Sequence, residues 1–149
     1  MRAILPVVAC LALLPVAEAA DLRFSNPEGL FKPSTFTQVV TAKGGTTVYI
    51  SGQTARDASS KIVGEGDVRK QAGQVLSNLR VAVESAGGSM ADIVKITTFV
   101  VNLKPDDRAW IGDLVTKSFP KPPAHTLVGI DALAVPELLI EIEAYAVLD

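Results

Sequence analysis

One cysteine, one histidine and one tryptophan stand in 149 residues, and each scarcity closes off chemistry. The cysteine, Cys10, lies in an apolar N-terminal run, so a chain that loses that run keeps no thiol. Disulfides, cysteine nucleophiles and thiolate metal sites are then excluded together. The single histidine, His125, cannot build a histidine-based zinc centre, and no metal or other cofactor is expected. No serine is marked as its partner by a G-x-S-x-G turn, so a hydrolytic triad has no evident nucleophile. H-E-x-x-H and Walker sequences are missing, and the GEG at 64–66 lacks the third glycine of a dinucleotide loop. Fourteen Lys and Arg face sixteen Asp and Glu, without a basic run and without aromatics interleaved among the cations. A single subunit therefore offers no nucleic-acid groove.

What is present begins with an export signal. "MRAILPVVACLALLPVAEAADLR" carries Arg2, an apolar run over 3–16, and small residues at Ala17, Ala19 and Ala20. These are the charged region, hydrophobic region and A-x-A cleavage site of a secretory signal. Pro6, Pro15 and the short run disfavour a membrane-spanning helix, which needs about 20 apolar residues. Too little apolar sequence precedes Cys10 for "VVAC" to serve as a lipoprotein box. The reading divides the chain into a signal peptide at 1–20 and one domain at 21–149. That domain is periplasmic or secreted, and free of the membrane once the signal is cleaved. Its length suits a single hydrophobic core.

Along this domain, 22–33 is polar and marked by Gly and Pro, and reads as an irregular arm. "TFTQVVTA", a Gly-Gly turn and "TTVYISG" predict a β-hairpin. A polar loop follows over 54–66. In "DVRKQAGQVLSNLRVAVESAGG" the residues Val68, Ala72, Val75, Leu79, Ala82 and Ala86 share one helical face. Asp67 serves as N-cap and Gly87 as the stop, while Gly73 inside the helix marks close packing. "IVKITTFVVN" is a β-branched strand. "DDRAWIGDLVTKSF" is a second helix with Trp110, Leu114 and Phe119 inward and two aspartates at its positive end.

Two strands close the chain. "AHTLVGI" places His125, Leu127 and Gly129 on one face. "ELLIEIEAYAVL" separates Leu138, Ile140, Ile142, Ala144 and Ala146 from Leu139, Glu141, Glu143 and Tyr145. The result is a ββαβαββ α+β domain with two helices on one face of a sheet. The other face, mixed apolar and acidic, is expected to meet a second subunit.

The groups left for chemistry are His125 on one strand and Glu141 and Glu143 on the next. A carboxylate on a largely apolar strand has a raised pKa and can orient or activate water. Histidine can donate to an anion. The residues alone favour the plainer reading of a hydrogen-bonded core histidine beside solvated glutamates, since neither pattern is specific.

"YISGQ", Asp67 with Gln71, "SNLRVAVESAGGSMADIVKITTFVVNL", "PPAHTLVGIDAL" and "LIEIEAYAV" together resemble the Rid family, the reactive intermediate deaminases also called YjgF. The resemblance covers about 36–147 in order and spacing. It implies a chorismate-mutase-like mixed sheet and a homotrimer with small-molecule sites in the clefts between subunits. It also implies hydrolysis of enamines and imines to 2-oxo acids and ammonia without a cofactor. The family's water-positioning glutamate falls on Glu141, and its Ser-Gly pair on Ser51 and Gly52. Its site tyrosine falls on Phe36, which keeps the ring and loses the hydroxyl. The arginine that grips the substrate carboxylate falls on His125, followed by Thr126 and then by Leu127 in place of a frequent cysteine. Imidazole cannot reproduce the two parallel charged donors of guanidinium. The expectation is thus a water-handling site with an altered anion grip, either hydrolysing a related water-labile compound or binding a small ligand without turnover. A chaperone-like role for exposed apolar surface is the third possibility.

Overall fold

The computed structural model describes residues 19–149; Cys10 and the expected signal through residue 18 lie outside them. Eight elements follow one another: β1 (Asp21–Ser25), β2 (Val39–Lys43), β3 (Thr46–Thr54), α1 (Val68–Ser85), β4 (Ile93–Val101), α2 (Asp107–Ser118), β5 (Ala124–Ile130) and β6 (Ile140–Leu148). The main sheet has the order β3-β6-β4-β5, with β6 antiparallel to both neighbours and β4 parallel to β5. Parallel strands need a crossover, and α2 supplies the one between β4 and β5. The sheet is mixed and the fold α+β, as the sequence predicts.

Two local expectations fail. The chain does turn at Gly44–Gly45, but β2 does not pair with β3. It pairs with β1, from Asp21↔Lys43 to Ser25↔Val39, as a separate two-stranded ribbon. The start of the expected irregular arm is therefore a strand. Leu22 and Phe24 alternate with exposed neighbours in "DLRFS", a short period-2 pattern masked by the Gly and Pro that follow it.

The helices pack where their periodicity places them. Asp67 caps α1 by accepting from the amides of Arg69 and Lys70 at 3.0 and 3.1 Å. Ala72, Val75, Leu79 and Val83 are buried against Ile93, Ile96, Ile140 and Ile142 of the sheet; Val83, not the exposed Ala86, completes the stripe. In α2 the buried positions are Ile111, Gly112 and Val115, with Trp110 and Leu114 at the edge of the core. Phe119 is buried as expected.

Gly73 packs against nothing: a β-carbon there would meet no atom within 4 Å. The close packing inferred from sequence is absent, and only the helix-propensity cost of glycine remains. Gly73→Ala is expected to stabilise the fold by about 0.5–1 kcal/mol, seen as a higher midpoint in urea at unchanged slope.

Two polar side chains of α1 tie the helix to the loops bordering the sheet. Gln71, fully buried, donates through Nε2 to the carbonyl of Glu137 and accepts at Oε1 from the amide of Leu139, both at 2.7 Å. Asn78 donates to the carbonyls of Thr54 and Arg56 at 2.9 and 2.7 Å. The first fixes the entry to β6, and the second fixes the exit of β3. Between those two anchor points lie Glu141 and Gly52.

Candidate functional site

On the face away from the helices, β6 presents Glu141, Glu143 and Tyr145, all half-buried. Glu141 lies opposite Phe99 of β4 and Thr54 of β3, and Glu143 opposite Thr97. The β3–β6 register runs Ile50↔Ala144 and then Gln53↔Ile142, so Ser51 and Gly52 form a bulge facing the single residue Glu143. The bulge brings backbone up to the carboxylate. A β-carbon on Gly52 would fall 1.9 Å from Glu141 Oε1, so only glycine leaves room for that side chain.

Burial, and then the neighbouring charge of Glu143, raises the Glu141 pKa above its ordinary value. This is the perturbed carboxylate that the sequence leads one to expect. Lys95 of β4, its pKa lowered by burial and partly restored by Glu143, donates to the hydroxyl of Thr126. Tyr49, 77% exposed, meets Tyr145 edge to face at 5.3 Å.

His125 lies elsewhere. It pairs with Ile96, and Leu127 with Thr98, on the helix-covered face. The imidazole Nε2 is 3.0 Å from the Thr98 hydroxyl, which is buried. Beside it opens a cavity of about 400 Å³ lined by Thr35, Phe36, Leu103, Arg108, Ile111, Gly112, His125 and Leu127. Phe36 stands edge-on to His125 at 6.4 Å, and the exposed Phe31 stands edge-on to Phe36 at 6.0 Å. Thr37 anchors this wall: its amide and hydroxyl donate to the carbonyls of Pro123 and Pro122 at 3.1 and 2.6 Å. Gly112 lets the same segment reach α2, since a β-carbon there would sit 2.9 Å from Thr35 Cγ2.

Within one subunit His125 and Glu141 therefore do not face each other. Strand β4 lies between β5 and β6, and the two side chains point to opposite faces of the sheet. Consecutive strands in sequence are not neighbours here because β5 joins the edge of the sheet through the α2 crossover. The predicted site residues fall into two sets. Phe36, His125 and Leu127 line the cavity; Ser51, Gly52, Thr126 and Glu141 belong to the open face. Sequence reasoning missed Arg108, Thr35 and Thr98, none of which carries a motif.

Desolvation, with the charge of Lys95 adding to it, lowers the His125 pKa to about 4. His125 is therefore neutral at pH 7. Because its pKa in the folded state lies below that of the unfolded chain, the unfolded state binds the extra proton. The resulting stability is present above about pH 6.5 and is lost as the pH falls toward 4. A shift of this size corresponds to about 3 kcal/mol. Urea denaturation between pH 7 and 4 should show this loss in the native protein and much less of it in His125→Gln.

A main sheet with two antiparallel pairings and one parallel pairing, covered by helices on a single face, defines a small α+β domain of the chorismate-mutase-like kind. By sequence the chain belongs to the family described as Endoribonuclease L-PSP, the YjgF/Rid/RutC family, whose model matches residues 32–148. A 2-iminobutanoate/2-iminopropanoate deaminase of Dermatophagoides farinae is 33% identical over 106 residues, 70% of this chain and 80% of that protein. A RutC family protein of Pyrococcus horikoshii is 32% identical over 105 residues, 70% of this chain and 81% of that protein. Among solved structures, a Rid family protein of unknown function from Yersinia pestis is 40% identical, with a TM-score of 0.81 over 85% of this chain and 98% of its own.

Proposed function

We propose that this chain is an exported Rid-type hydrolase that cleaves a small imine, enamine or related water-labile compound without a cofactor. It works as a homotrimer whose sites lie between subunits. The observation that carries this reading is the placement of the two half-sites on opposite faces of one sheet. Neither half is complete alone. The Glu141 half has a carboxylate of raised pKa and the bulge at Ser51–Gly52, on an open sheet face. The His125 half has a cavity but no carboxylate in its lining. Packing the open face of one subunit beside the cavity of the next unites them, and it also covers Tyr49, Phe99 and Tyr145.

In that arrangement Glu141 orients water toward the imine carbon and takes up its proton, and the Ser51–Gly52 backbone frames the reacting group. His125 donates or accepts a single neutral hydrogen bond. The relative from Dermatophagoides farinae supports imine chemistry. The family description supports RNA less well, because Glu141 and Glu143 on the open face repel a polyanion. The first strand begins at Asp21, just beyond the expected signal at 1–20, so cleavage there leaves every described element intact; this supports export.

A second reading, a trimer that binds a small ligand without turning it over, is favoured by the neutral state of His125. Ammonia release from freshly generated 2-iminobutanoate by the purified protein decides between them. Turnover above the spontaneous rate is expected, and its absence with ligand binding intact selects the second reading.

A further inference from the structure

We infer that Arg108, in the first turn of α2, is the anion-binding side chain of the Phe36–His125 cavity, whose ligand is a small organic monoanion. The ligand's carboxylate rests on the guanidinium, and its apolar body lies against Phe36 and Leu127. The inference rests on the reading above only in taking this cavity as the ligand site.

Three observations carry it. Arg108 is the one charged residue lining the cavity, and the rest of the lining is apolar apart from Thr35 and His125. Every other described arginine is engaged: Arg23 with Asp21, Arg56 with the Ser60 carbonyl, Arg69 over the Trp110 ring and Arg80 with Glu84. Arg108 makes no side-chain hydrogen bond or ion pair among the described residues. Finally, the adjacent carboxylate of Asp107 accepts from the Lys104 amide and the Trp110 indole N–H, at 2.9 and 2.8 Å, and forms no ion pair with Arg108.

A lone guanidinium at an apolar cavity favours one negative charge with a compact organic body over a multiply charged group. Its volume of about 400 Å³ lies at the small end of ligand sites. His125, held to Thr98 through Nε2, keeps Nδ1 for a second, uncharged hydrogen bond. The positive charge that the family places on β5 stands here on α2.

Calorimetric titration of the assembled protein with 2-oxobutanoate, and with its neutral amide as control, tests the assignment. Arg108→Gln should weaken 2-oxobutanoate binding by about 10–100-fold, the loss expected for one charged hydrogen-bonded contact, and Arg108→Lys by less. The amide should bind wild type and Arg108→Gln alike. Equal loss for acid and amide, unchanged affinity for the acid, or no binding of the acid to wild type would overturn it. Ammonia release separates this from the hydrolase reading. Turnover with an unchanged KM in Arg108→Gln removes the inference and leaves the hydrolase. Arg108-dependent binding without turnover does the reverse.

Discussion

Glu141→Gln should lower kcat for imine hydrolysis by roughly 10²–10⁴-fold, the usual contribution of a positioned general base, with little change in KM. Glutamine keeps the shape that Gly52 accommodates, so the loss reports the carboxylate and not the packing. The fold should be at least as stable. Glu141 has a raised pKa in the folded state, so its ionisation on going from acid to neutral pH opposes folding. Replacing it also removes repulsion from Glu143. A variant that is fully folded, with a denaturation midpoint at or above that of wild type, and still inactive is the expected result. Steady-state kinetics alongside urea denaturation at pH 7 reads both. Retained turnover would move the water-activating role to another residue.

The second large effect is a gain. His125→Arg should raise kcat/KM for 2-iminobutanoate by roughly 10–100-fold, acting mainly through KM, because it replaces a neutral hydrogen-bonding ring with two parallel charged donors. The cost is stability. The native ring is mostly buried, neutral and bonded to Thr98, and a guanidinium there brings a charge into the same desolvated setting, close to Arg108 and Lys95. The variant should therefore unfold at a lower temperature than wild type and recover part of the difference when 2-oxobutanoate is bound. If His125→Arg leaves KM unchanged, position 125 does not contact the substrate carboxylate. Gain and loss in the same molecule would set out the trade that imidazole makes at this position.

Much of this architecture was legible in the chain. Asp67 as cap, the stripe through Ala72, Val75 and Leu79, and the period-2 split of β6 rest on local geometry that sequence encodes directly. In α2 the pattern was shallow: Trp110 and Leu114 look inward by size, yet Ile111 and Val115, one position on, hold the core. Strand pairing was the harder matter, because it depends on contacts distant in sequence. Val39–Lys43 had a turn and a β-branched run pointing to β3, and it nevertheless joined β1. The same non-locality governs the site. His125 and Glu141 lie on consecutive strands, but β4 separates them, and their opposite orientations follow from register across all three. Arg108 left no trace because an arginine early in a helix is ordinary; only the cavity beside it gives it meaning.

The proposed site joins the cavity of one subunit to the open sheet face of another. The cysteine-free domain, residues 21–149, permits a direct measurement. Phe36→Cys and Ser51→Cys are introduced into the same chain, one on each half-site, and the protein is treated with a short bismaleimide and run on a denaturing gel. Within one subunit the sheet separates these positions, so cross-links should run between chains and give covalent dimers and trimers, blocked by prior incubation with 2-oxobutanoate. Exclusively monomeric product from protein that sediments as a trimer would contradict the shared site.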